Sequence, residues 1–262
     1  MPELRFARGL AAATGLVFLL VTGCGLQNNP TEGVGTVLSG NWALIPANNA
    51  AVSMNLGFTQ GAYETVSAVA RLNGASCISP STDILLSGSV TAANQMTLVS
   101  SAFNGTTLTL KGSVTTDGNA IDNATWTFAG GNCSSMGTAD LNATNYSTIG
   151  GSYTGNFIDN SGNQLPVAAF LQQTTQPDSN GQFSLSGTAT FPTNGCFVQQ
   201  PTLTSSLVTG SSLTMTYTDP ASGAVLTAAG TFNAAATQLT IASWSIAGGQ
   251  CNGDSGTGSL TE

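Results

Sequence analysis

Gly253-Asp254-Ser255-Gly256 sets a serine hydroxyl between small residues, a setting in which it could act as a nucleophile in acyl transfer. That chemistry needs a base within hydrogen-bond reach to take the hydroxyl proton. The chain has no histidine, and beyond its first 23 residues its one lysine is Lys111, inside an alternating stretch over 107–114. The string therefore reads as a turn. Asp254-Ser255-Gly256 could join a two-aspartate proton relay only beside a second facing carboxylate, and the corresponding Ser135-Met136-Gly137 of the first half supplies none. Asp159-Asn160-Ser161-Gly162-Asn163 carries enough oxygen atoms for a calcium ion, but it also has the composition of a hairpin turn, the reading adopted. Most acidic residues stand in such turns, so carboxylate-based hydrolysis of an extracellular polymer is an alternative and not the leading expectation. No catalytic residue, metal or cofactor is expected.

The cysteines carry a different chemistry, and a repeat organises them. Residues 125–133 read TWTFAGGNC and residues 243–251 read SWSIAGGQC, at an offset of 118. Leu108-Thr109 and Gly112 align with Leu226-Thr227 and Gly230 at the same offset. Upstream, Leu38-Ser39-Gly40-Asn41-Trp42 aligns with Ile149-Gly150-Gly151-Ser152-Tyr153 at an offset of 111. Two copies of one domain are expected, over 38–145 and 146–262. Each holds two cysteines, 56 and 55 residues apart. Four cysteines allow three pairings; duplication selects Cys77–Cys133 and Cys196–Cys251. Each bridge would stabilise its domain by ~4 kcal/mol in the chain-entropy account.

The elements that must position these bridges are strands. In the second copy Phe183, Leu185, Gly187, Ala189 and Phe191 alternate with Ser and Thr, as do Leu213, Met215 and Tyr217. A period of two over so many residues predicts strands. Eight are expected in copy 2, over 151–158, 165–173, 182–191, 201–208, 212–218, 224–232, 238–247 and 255–261. Turn signals separate them, among them Pro177-Asp178-Ser179-Asn180-Gly181 and Asp219-Pro220-Ala221-Ser222-Gly223. Copy 1 parallels them. Short turns and the need to remove exposed edges point to all-β architecture, as two tandem antiparallel up-and-down eight-stranded β-barrels; paired β-sandwiches are the alternative. In a strict meander both cysteines of a copy lie at the same mouth. Small inward residues at 187, 228 and 230 could mean bends, tight packing or room for a ligand. Trp42, Trp126, Tyr153 and Trp244 are core residues by default and candidate ligand-lining residues otherwise.

Twelve acidic residues face four basic ones, for a net charge of −8. Two of the basic residues, Arg5 and Arg8, precede an uncharged run over 9–21. Such a surplus of negative charge disfavours nucleic acid and anionic lipid headgroups. The run is too short for a permanent membrane span and has the length of a secretory signal core. It ends Val21-Thr22-Gly23-Cys24, which resembles the bacterial lipobox. The resemblance implies cleavage after residue 23 and lipidation of Cys24; residues 25–37 lack periodicity and read as a tether, so that 24–37 form the lipidated cysteine and its tether. Two or more acyl chains make a stable anchor. Gly25, in place of the aspartate that retains such proteins in the inner membrane, points to the outer membrane.

Leu38-Ser39-Gly40-Asn41-Trp42 is similar to the opening strand of calycin barrels, the lipocalins and avidins, and Gly151-Ser152-Tyr153 is a degenerate copy of it. The resemblance implies a barrel and covers one strand per domain. It does not extend to the several tryptophans of a biotin pocket. The leading expectation is a non-enzymatic envelope lipoprotein that presents two β-domains for binding or structural interaction. A ligand, if any, would be neutral, such as a glycan segment or lipid-like molecule. A passive surface spacer with filled barrels is the third reading.

Overall fold

The computed structural model describes residues 38–61, 64–191 and 195–262. The signal segment, Cys24 and the 24–37 tether lie outside the described residues. Two closed eight-stranded antiparallel barrels follow one another along the chain. The first comprises β1 (Gly40–Pro46), β2 (Ser53–Gln60), β3 (Thr65–Asn73), β4 (Ile84–Val90), β5 (Gln95–Ser100), β6 (Thr107–Val114), β7 (Ile121–Ala129) and β8 (Thr138–Tyr146). The second comprises β9 (Gly150–Asp159), β10 (Gln164–Gln173), β11 (Leu185–Thr190), β12 (Thr202–Thr209), β13 (Ser212–Thr218), β14 (Val225–Phe232), β15 (Gln238–Ala247) and β16 (Ser255–Thr261). Barrels, not sandwiches, form because the first strand of each copy pairs on both sides. Trp42 of β1 opposes Leu56 of β2 and Asn145 of β8. Phe157 of β9 opposes Leu165 of β10 and Gly258 of β16.

The period-two pattern sends one face of each strand inward. Met54, Leu56, Phe58, Met96 and Leu98 fill barrel 1 beneath Trp42 and Trp126. Tyr153, Leu171, Met215, Tyr217 and Leu239 do the same in barrel 2. Both barrels bend at matching β-bulges, next to Gly112 and Gly230. A Cβ on Gly230 would collide with the Thr240 carbonyl oxygen, and one on Gly187 with that of Phe170. Ala228 is fully buried opposite Trp244. The small residues at 187, 228 and 230 thus mark close backbone approach and tight packing, not space for a ligand.

One strand is shorter than expected. Regular pairing of β11 begins at Leu185, whereas alternation suggested 182. The bulge between Leu203 and Ser205 shifts β12, so β11 and β12 share the single ladder pair Thr188↔Thr202 and an isolated bridge Phe183↔Val208. Between these the Ser206 hydroxyl substitutes for the ladder, accepting from Leu185 N–H at 2.6 Å and donating to Leu185 C=O at 3.0 Å.

The barrels dock end to wall. Three turns of barrel 2 lie at the end opposite its disulfide, and two of them meet the outer face of β1–β3. The Asn41 side chain donates to Gly210 C=O and accepts from Gly210 N–H, both at 2.7 Å, while only 2% exposed. Gly57 admits the 177–181 turn: a Cβ there would stand 2.8 Å from both Gly181 O and Pro177 Cβ. The connecting residues 147–149 are held to barrel 2 by Ser147 N–H donating to Ala234 C=O at 2.8 Å.

Candidate functional site

With both interiors occupied by side chains, open volume lies at the ends and on the outer walls of the barrels. A cleft of about 490 Å³ lies at the disulfide end of barrel 1, within the usual ~300–1,000 Å³ of ligand sites. Its walls come from the β1–β2, β3–β4 and β7–β8 connections. Asn49 folds the first by accepting from Val52 N–H through its backbone and from Ala51 N–H through its side chain, both at 3.2 Å. Gly74 lets the second approach the first, in a left-handed conformation (φ +76°) where a Cβ would collide with Ala51 O. The Cys77–Cys133 bridge, with Cα atoms 5.2 Å apart, ties the second to the third. The third also carries a 3₁₀ turn, Ser134–Met136. Buried Thr106 anchors it from below, donating to Gly130 C=O at 3.1 Å and accepting from Cys133 N–H at 3.3 Å. Cys196–Cys251 bridges the same mouth of barrel 2, with Cα atoms 5.0 Å apart.

The four aromatic candidates do not converge. Trp42 and Tyr153 are buried near the ends opposite the bridges. Trp42 Nε1 donates to Ser39 C=O at 3.1 Å, and Tyr153 O–H to Ala236 C=O at 2.7 Å. Trp126 and Trp244 stand near the bridged mouths and differ from each other. Trp244 stacks on Phe157 at 5.7 Å and donates from Nε1 to Thr257 C=O at 2.9 Å. Phe191 packs on Phe157 at 6.2 Å and on Phe197 at 4.7 Å, closing the mouth with aromatic rings. Trp126 lines the cleft, and its buried Nε1–H has no hydrogen-bond acceptor. Leaving a buried donor unmatched costs about 1–3 kcal/mol.

Register explains the difference. Trp244 opposes Gly256, so its acceptor is the next residue along β16. Trp126 opposes Ala139, which makes Asp140 the equivalent; the Asp140 carbonyl accepts from Ala47 N–H at 2.9 Å and not from the indole. The 111-residue offset that aligns Trp42 with Tyr153 also aligns Pro46 with Phe157. Pro46 lines the cleft where its counterpart covers the tryptophan. Aligning Cys77 with Cys196 sets Ile78 against Phe197. Pro46 and Met136 were not among the sequence candidates, although the 111-residue offset sets Pro46 against Phe157.

The other chemistry-bearing groups lie elsewhere. Ser255 Oγ accepts from Asn160 Nδ2 at 2.9 Å, and Lys111 is exposed on β6 of the other barrel. Asp159 accepts from Ser161 and Asn163 N–H, both at 2.8 Å, and from Asn163 Nδ2 at 2.7 Å. The Asn163 side-chain amide, followed by backbone N–H groups, holds this carboxyl below its usual range. Asp219 is fully buried between the β13–β14 turn and the Cys196 loop. Burial pushes its pKa up, but Ser222 Oγ and the N–H groups of Ala221, Val198 and Gln199 outweigh that and hold it well below the carboxylate range. Cys196, Cys251 and Asp254 lie close enough to share an ion, but the two sulfurs are bonded to each other. No family model matches this chain, and neither does any curated protein or solved structure.

Proposed function

We propose that this chain is a lipoprotein of the bacterial cell envelope, anchored through Cys24 and sorted to the outer membrane, that acts by non-catalytic binding at the mouth of its first barrel. The lipobox-like Val21-Thr22-Gly23-Cys24 supports the anchor, and the observation that carries the binding role is the asymmetry of the two mouths. Where the second copy stacks Phe157 on a satisfied Trp244, the first leaves a cleft over Trp126, whose N–H has no acceptor. Duplicated domains that differ in side-chain filling at one equivalent place suit a division of labour, with barrel 2 as the mount and barrel 1 as the receptor. The cleft is lined by uncharged side chains, which favours a neutral ligand and gives carboxylate hydrolysis no acid at that position. The packed interiors favour one part of the spacer reading, that barrel 2 contributes reach and rigidity.

Native mass spectrometry tests this on protein recovered from its own envelope. The intact chain is expected to carry acyl mass on Cys24. Proteolysis within 25–37 is then expected to free a two-barrel fragment lighter than the reduced chain by about four hydrogens, from its two disulfides. A reproducible additional mass on that fragment, lost on unfolding, is the expected sign of a ligand. A bare fragment whose partners are recovered only by surface crosslinking away from the cleft would reject the binding role in favour of the spacer.

A further inference from the structure

We infer that the cleft of barrel 1 takes a segment of a neutral oligosaccharide, an oxygen of which accepts the Trp126 Nε1–H; this rests on the binding reading above. Among the described residues only Trp126 Nε1 and Thr209 Oγ1 are buried side-chain polar atoms without a hydrogen bond, and Trp126 lines the cleft at the disulfide end of barrel 1. The remaining lining is mixed in the way a sugar requires. Asn48, Asn49, Ser76, Ser135 and Thr138 offer amides and hydroxyls that both donate and accept. Pro46, Val52 and Met136 offer apolar surface beside the indole for the C–H faces of a pyranose. No lining residue is charged, so an anionic or cationic ligand would find no ion-pair partner. An acyl chain would strip those amides and hydroxyls of water and return no hydrogen bonds. The walls are held by the Cys77–Cys133 bridge and the Asn49 turn, so the polar groups are positioned before a ligand arrives. The indole N–H is covered, so its acceptor arrives by displacing a neighbouring lining group. Met136, half-buried on a short 3₁₀ turn with its sulfur 3.5 Å from Cys77 Sγ, is the flexible side chain among those lining the cleft.

The test uses the mature chain exported behind a non-lipidating signal with Cys24→Ser. It is titrated with cellotetraose, maltotetraose and the tetramer of N-acetylglucosamine, and separately with monoolein as a neutral lipid probe. Tryptophan fluorescence and saturation-transfer NMR are the readouts. Saturable binding of at least one tetraose is expected. Trp126→Phe keeps the packing and removes the N–H, and should weaken binding about tenfold, the equivalent of one strong hydrogen bond. Pro46→Phe installs the plug of barrel 2 and should abolish binding with Trp126 intact, which keeps the test decisive even if the indole variant folds poorly. Trp244→Phe should leave binding unchanged. Tetraose binding unaffected by both cleft variants overturns the inference, because the sugar then sits elsewhere. If only monoolein binds and Pro46→Phe removes it, the ligand class is wrong and the binding reading stands. If no probe binds, the oligosaccharide inference is rejected; the binding reading then falls as well if the envelope-derived fragment is bare.

Discussion

Asp219 shows how much a single side chain in a turn can organise. Its two oxygens collect N–H groups from both the β13–β14 turn and the loop that carries Cys196. The sign of its pH effect follows from the depressed folded pKa. An unfolded Asp219 titrates near the ordinary 3.8, and the folded one well below that. The stabilisation is therefore complete above pH 4 and is lost as pH falls through the folded value. Asp117 and Asp159 shift in the same direction. Melting temperature is expected to drop steeply between pH 4 and pH 2, measured by circular dichroism. Asp219→Asn should lower it by several degrees at pH 7 and flatten part of the acid dependence. An unchanged acid limb in that variant would locate the lability in other carboxylates.

At the scale of strands, the bulges separate two kinds of glycine. A Cβ at Gly230 would meet the Thr240 backbone oxygen, which cannot move without breaking the β14–β15 ladder. At Gly112 the nearest atom is the Ile121 Cγ2 methyl, a side-chain branch that gives way by a change of χ1 and leaves the ladder intact. Both Gly230→Ala and Gly112→Ala should be destabilising by urea unfolding, by about 1–3 kcal/mol, with Gly230→Ala the costlier of the two. The Ser206 hydroxyl offers a second test, because it closes the only stretch of wall that the backbone leaves open in β11–β12. Ser206→Ala should cost about 1–3 kcal/mol and speed hydrogen exchange at the Leu185 amide. Unaltered exchange there would mean the seam closes by other contacts.

For the molecule as a whole, the question is whether two barrels act as one body. Asn41 binds Gly210 through both of its amide atoms in a buried contact, and Gly57 lets a turn of barrel 2 touch the wall of barrel 1. These contacts tie the outer wall of barrel 1 to two turns of barrel 2. Asn41→Ala removes both bonds and strands the Gly210 N–H and C=O. It should cost about 1–3 kcal/mol, split a single thermal transition into two in calorimetry, and broaden the distance distribution in small-angle scattering. If the variant retains one transition and an unchanged distribution, the barrels are coupled by something other than this contact.

The sequence by itself determined the number and place of nearly all strands, the turns between them and the two bridges. These follow from local causes: a period of two, turn chemistry, and the matching of one repeat against the other. Closure is the leading expectation with paired sandwiches as the alternative, and the pairing of the first strand of each copy with its last decides between them. What tertiary structure alone decided is the pairing of side chains from strands far apart in the chain. Asn41 reads as a solvent-facing strand residue and is buried because a turn 169 residues away reaches it. Trp126 and Trp244 read as equivalents, yet Trp244 has an acceptor and a stacked Phe157, whereas Trp126 has no acceptor and only an edge-on contact with Phe128 at 5.3 Å. That difference rests on where Pro46 and Phe157 end up across a closed barrel, on which carbonyl is already engaged, and on the volume left between them, quantities that packing in three dimensions sets.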